Sequence, residues 1–181
     1  MPTGNQSAET GFNLWDIPSA WKGHEAFAQW LVQQMRPQVI VELGCDYGFS
    51  TIALAQPGLG TVYGIDRFLG PPERNVYESC RANIAAAGVK NIELIKDDFR
   101  KVVKSWSRPI DLLHIDGNHA YADVSTDFSQ WTPHVRGGGV ILMHDTCSFP
   151  QGVGKFFNEI TWPKFEFEHA FGLGVVLKPV H

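Results

Sequence analysis

Two apolar runs in this chain stop on the side chains that acid–base and metal chemistry require. Leu112-Leu113-His114-Ile115 runs into Asp116, and His119 follows across Gly117-Asn118; Gly139-Val140-Ile141-Leu142-Met143 runs into His144 and Asp145. In open α/β sheets ligands sit at the carboxyl ends of strands, so polar strand ends there are candidates for a site. If the two strands are neighbours, Asp116 and Asp145 converge and begin a divalent-cation site, completed by His144, Asn118 or water. Oxygen-rich ligation favours Mg2+ or Mn2+. A cation there lowers the pKa of a substrate hydroxyl, and His119, with an ordinary pKa near ~6.5, can take the proton. The same letters also suit a plain turn at Gly117-Asn118, with Asp116 stabilising it and His119 opening a helix.

A second constellation lies earlier. Val39 to Ser50, VIVELGCDYGFS, reads as a buried strand, a glycine turn at Gly44 and Gly48, and a helix start. That arrangement turns backbone N–H groups toward a ligand. Asp66 ends the next apolar run, where a carboxylate can accept both ribose hydroxyls. Together they suggest an adenosine-containing cofactor. A dinucleotide fingerprint needs G-x-G-x-x-G; the third glycine is missing, and Asp46 would repel a pyrophosphate. An NAD-dependent oxidoreductase is thereby the weaker enzymatic alternative.

The elements that must position these residues alternate. Strand-like runs cover Val39 to Leu43, Thr61 to Ile65, Ile92 to Ile95, Ile110 to Ile115 and Gly139 to Met143. Helical stretches lie between them at Phe49 to Gln56, Glu73 to Ala87, Phe99 to Trp106 and Tyr121 to Trp131. This order implies right-handed crossovers and a largely parallel sheet with helices on both faces. Gly23 to Met35 reads as a helix burying Ala26, Phe27, Trp30, Leu31 and Gln34. Beyond a helix at Val153 to Ile160, the runs Lys164 to His169 and Leu173 to Leu177 are too close for a crossover and fit a hairpin. KFEFEH carries the period-two pattern of a strand with one exposed face.

With 181 residues the chain fits one domain, and its net charge of -4 with no Lys/Arg run argues against a nucleic-acid surface. Three widely spaced cysteines indicate neither a disulfide framework nor a structural zinc site. The first twenty residues lack the pattern of a signal peptide, and no apolar run is long enough to span a membrane. The expectation is a soluble, cytoplasmic protein, with a homo-oligomer left open.

From Val39 onward the chain resembles the class I S-adenosylmethionine (SAM)-dependent methyltransferases, on the glycine segment VIVELGCDYGFS and the five-strand alternation with a terminal hairpin. The resemblance implies a Rossmann-like, doubly wound, mostly parallel seven-stranded sheet with a C-terminal antiparallel hairpin. It places Glu42, Gly44, Gly48 and Ser50 around the amino-acid end of SAM, Asp66 on the ribose, Asp98 on the adenine amino group and Asp116 beside the cofactor. Asp97 stands where the family often has glycine. IDGNHAY followed by LMHDT resembles the metal-dependent O-methyltransferases of small-molecule and sugar metabolism and the cephalosporin hydroxylase-like proteins. That implies Asp116 as metal ligand and His119 as general base, with His144 and Asp145 standing where relatives commonly have two acidic residues or an acid and an amide. The implied reaction is methyl transfer from SAM to a hydroxylated small molecule. Residues 38–181 would form the methyltransferase domain and residues 1–37 an N-terminal extension and helix suited to a substrate lid, with Trp15, Trp21, His24 and Phe149 near the acceptor. A catalytically silent SAM-fold binding module is the alternative from another class.

Overall fold

The computed structural model describes residues 11–71 and 74–180. Its elements are α1 (Glu25–Met35), β1 (Val39–Leu43), α2 (Phe49–Ala55), β2 (Thr61–Asp66), α3 (Val76–Ala87), β3 (Ile92–Lys96), α4 (Phe99–Val102), β4 (Ile110–Ile115), α5 (Tyr121–Trp131), β5 (Val135–His144), α6 (Val153–Glu159), β6 (Lys164–Phe167) and β7 (Leu173–Leu177). The seven strands form one sheet in the order β3-β2-β1-β4-β5-β7-β6. The first five pair in parallel, and β7 inserts antiparallel between β5 and β6. This is the expected Rossmann-like architecture, including the C-terminal hairpin.

Alternation along the strands divides the core in two. Ile40, Val62, Leu112 and Leu142 face α1, α2 and the segment before α1, whereas Val41, Leu43, Leu113, Ile141 and Met143 face α5 and α6. Both faces are covered, which explains why the parallel strands read as continuous apolar runs. Strand order reverses between β1 and β4, the place where an open α/β sheet forms its crevice beyond the carboxyl ends of the strands.

Three local expectations are corrected. The buried face of α1 is Ala28, Leu31 and Val32, while Trp30 is 54% exposed. Ala28 and Val32 lie one turn apart and, with Leu31, let the helix approach α2 closely, which a tryptophan at 30 could not. α3 begins at Val76, and Glu73 lies outside the described residues. β5 begins at Val135, before Gly139, because Val135 pairs with Ile110 across an irregularity in register. The hairpin strand also departs from a simple inside–outside pattern: Phe165 is 47% exposed at the sheet edge, and its ring meets Phe27 of α1.

Candidate active site

Two glycines bring the polar strand ends within reach of one another. Gly44 follows β1 at φ +93°, and a Cβ there would lie 2.0 Å from the Asp116 carbonyl oxygen. The chains after β1 and β4 therefore touch backbone to backbone, supported by Asp116 N–H donating to Leu43 O at 2.8 Å. Gly152, before α6, is equally close to His119: its Cβ would stand 1.9 Å from the His119 carbonyl oxygen. A cavity of about 260 Å3 opens above these contacts, lined by Gly44 to Tyr47, Phe49, Ser50 and Asp66 on the cofactor-loop side. Asp116, Gly117, His119, His144 and Asp145 line the remainder with Pro18 to Trp21.

Within the cavity the acids and histidines interlock. His119 Nε2 lies 2.8 Å from Asp145 Oδ2, and His144 Nδ1 lies 3.3 Å from both Asp116 Oδ1 and Asp145 Oδ2. His144 Nε2 donates to the Ala170 carbonyl at 3.2 Å. Burial opposes charge on His144, but Asp116 and Asp145 outweigh it and push its pKa up to about 10. Burial likewise opposes charge on Asp145, yet the two histidines hold its carboxyl well below the usual range. The hydrogen bond to Asp145 raises the pKa of His119. Phe149 stacks on the His119 imidazole at 4.1 Å and 16°. Asp145 itself sits at φ +67°, a left-handed conformation uncommon outside glycine.

The remaining candidates fall into different places. Asp66 lines the cavity, but its carboxylate also accepts from the N–H groups of Cys45 at 2.8 Å, Asp46 at 3.1 Å and Phe68 at 2.6 Å. It shapes the glycine loop as well as facing the ligand space. Ser50 lines the cavity from the first turn of α2. Gly48 caps α2 at φ +90°, where a Cβ would lie 3.0 Å from Cys80 Sγ, beneath the loop and away from the lining. Glu42 is also away from the lining. It is fully buried, and one oxygen meets His114 Nδ1 at 3.0 Å while the other accepts from the Thr51 hydroxyl. Asp98 caps α4 by accepting from Arg100 N–H at 2.8 Å and stands 3.8 Å from Arg67. It does not line this cavity. Of the aromatic candidates, Trp21 forms part of the wall, while Trp15 is half exposed and packs edge-on against Phe49.

His24 is fully buried. Burial pushes its pKa down to about 4, and its Nε2 donates to the same Ala170 carbonyl at 3.1 Å. The residues that sequence reasoning passed over are Thr51, His114 and Ala170. His114 was visible as a lone polar residue inside an apolar strand, which needs a partner to be buried; a backbone carbonyl such as that of Ala170 leaves no mark in sequence.

A protein-family model described as a methyltransferase domain matches residues 41–146, from β1 through the end of β5. An uncharacterised Sinorhizobium fredii protein is 33% identical over 178 residues, covering 91% of this chain and 20% of the relative. The L-olivosyl-oleandolide 3-O-methyltransferase of Streptomyces antibioticus is 29% identical over 96 residues, covering 52% of this chain and 22% of that protein. The chain thus spans about a fifth of the length of these curated relatives. Among solved structures, the O-methyltransferase TomG of Streptomyces achromogenes, involved in tomaymycin synthesis and solved with SAM, shares the fold. It superposes with a TM-score of 0.71 at 20% identity over 91% of this chain and 84% of its own. With the matched segment carrying the glycine loop and both polar strand ends, the chain belongs to the methyltransferase domain family.

Proposed function

We propose that this chain transfers the methyl group of SAM to a hydroxyl of a small molecule, with a divalent cation at Asp116, Asp145 and His144. The observation that carries the reading is the charge of the cavity. Asp46, Asp66, Asp116 and Asp145 all line it, and among the described residues no lysine or arginine does. Such a wall suits a sulfonium and an ammonium and repels a pyrophosphate, which sets SAM above a dinucleotide.

The donor set fits a cation. One atom each from Asp116, His144 and Asp145 lie within 4.8 Å of one another. The Nε2–H of His144 is given to the Ala170 carbonyl, the arrangement that orients a ligating imidazole and frees Nδ1 for a metal. Bound there, Mg2+ or Mn2+ would lower the pKa of an acceptor hydroxyl. His119 takes the hydroxyl proton at Nδ1, because its Nε2–H is committed to Asp145. The acceptor oxygen then forms its bond to the methyl carbon as the carbon–sulfur bond breaks, and the pair of electrons leaves with the neutral thioether. The 3-O-methyltransferase among the relatives supports a hydroxylated small molecule as acceptor.

Calorimetry with S-adenosylhomocysteine (SAH) tests the cofactor, and absence of binding sinks the reading; a titration with NADH checks the oxidoreductase alternative. A panel of hydroxylated metabolites with labelled SAM tests turnover, and its failure against every acceptor would favour the silent module. Activity unchanged after exhaustive EDTA would remove the cation while leaving the methyl transfer.

A further inference from the structure

The segment before α1 forms a wall of the cavity, and one buried side chain fastens it. Pro18, Ser19, Ala20 and Trp21 line the cavity, and the Ser19 hydroxyl accepts from Trp21 N–H at 3.0 Å, closing a tight local turn. Trp21 is 1% exposed, and its indole N–H donates to His114 Nε2 at 3.1 Å. The two rings meet edge-on at 5.2 Å. An indole N–H can only donate, so His114 Nε2 is the lone-pair nitrogen and its Nδ1 carries the proton given to Glu42. The second Glu42 oxygen accepts from Thr51, the neighbour of Ser50 in α2.

Register explains how such a chain can run through the core. Glu42 and His114 are directly paired on β1 and β4 and share the face that α1 and α2 cover. A row of buried polar groups is retained at a cost unless every member finds a partner, and here each does.

We propose that Trp21 is a positioning residue of the site: the Trp21–His114–Glu42–Thr51 chain holds residues 18–21 as a fixed wall and ties that wall to the helix behind the glycine loop. Its effect on SAM binding rests on the proposed methyl transfer; its effect on the wall does not. A tryptophan that served packing alone would need its ring and not its N–H.

Trp21→Phe keeps the ring and removes the donor, leaving His114 Nε2 buried without a partner. Faster amide hydrogen exchange in residues 19–22 is expected, with SAH affinity down about tenfold by calorimetry. At one SAH concentration, residues 19–22 should be protected in the native protein and less so in the variant. A variant with a lowered Tm but native SAH affinity and native exchange in this segment would overturn the proposal, since that is the signature of packing alone. If native protein does not bind SAH, the methyl-transfer reading falls and the exchange result still decides the role of Trp21. Should the variant fail to fold, nitrogen-15 NMR of the native protein decides it. The proposal requires a slowly exchanging Trp21 indole N–H and the Nδ1–H tautomer of His114; an Nε2–H tautomer or an imidazolium would overturn it.

Discussion

His119 and His144 share one carboxylate oxygen of Asp145 and yet are suited to opposite tasks. His144 is buried between Asp116 and Asp145 with its far nitrogen tied to a carbonyl, so in the absence of a metal it keeps its proton. His119 is about a third exposed and, among the described residues, bonded at one nitrogen only, which leaves the other to exchange a proton. Its orientation depends on Phe149, whose ring covers one imidazole face. Phe149→Ala is expected to lower kcat about tenfold, with Phe149→Tyr restoring most of it and SAH affinity unchanged in both. Parallel loss of SAH affinity would show that Phe149 supports the fold instead. At this scale the sequence was legible at the strand ends: Asp116, His119, His144 and Asp145, which line one cavity, were readable as candidates because each stands at or just beyond the end of an apolar run, although a plain turn suited Asp116 and His119 as well. Glu42 and Asp66 were read less completely. Their partners come from Thr51, His114 and the loop amides, and the pairings of Glu42 with His114 and of Asp66 with the Cys45 and Asp46 amides span tens of residues, which leaves no local spacing to recognise.

Glycines at the ends of elements decide whether those side chains meet. A Cβ on Gly44 collides with the Asp116 carbonyl, so Gly44→Ala must separate the ends of β1 and β4. Loss of measurable SAH binding is expected by calorimetry, together with a destabilisation of about 1–3 kcal/mol in denaturant titration. Gly88 makes the matching control. It ends α3 at φ +69°, and a Cβ there would meet nothing within 4 Å, so Gly88→Ala should cost only about 1 kcal/mol and leave SAH affinity intact. Equal effects of the two substitutions would refute the distinction between backbone conformation and close approach. Strands and hairpin were legible in the sequence as elements because strand length, β-branching and glycine punctuation are local. The buried face of α1 was not, since two faces of that helix carry apolar residues and only contact with α2 selects between them.

Across the whole molecule, one buried charge is placed against the stability of the fold. Asp127 on α5 is 1% exposed at its side chain, neither oxygen has a hydrogen-bond partner among the described residues, and Arg100 Nε stands 3.5 Å away. Burial raises its pKa from 3.8 to about 6 against the pull of Arg100, with Asp123 and Asp98 adding to the rise. The folded protein therefore binds this proton more tightly than the unfolded chain does. Between about pH 4 and pH 6 stability falls as pH rises, and above pH 6 the cost is complete, of the order of 3 kcal/mol. Asp127→Asn should thus stabilise the protein at pH 8 by roughly 1–3 kcal/mol and change little at pH 4, measured by urea titration at the two pH values. A uniform effect at both would locate the cause elsewhere than in the carboxyl group.

The Ala170 carbonyl, which receives both His144 and His24, fixes an order of events in time. Its partner His24 is 146 positions earlier in the chain, and β7 reaches its place only by inserting between β5 and β6. During synthesis, a chain that has emerged as far as Pro163 already carries the Asp116, His119 and Asp145 side chains and the parallel half of the sheet. His144 then has no carbonyl to hold its far nitrogen, and His24 has nothing to close upon. Assembly of this site consequently trails the birth of the sheet that carries it, waiting on a turn that leaves the ribosome after all five parallel strands. A nascent chain stalled with Pro163 just outside the ribosome should collapse around its sheet and still bind SAH far more weakly than the released protein.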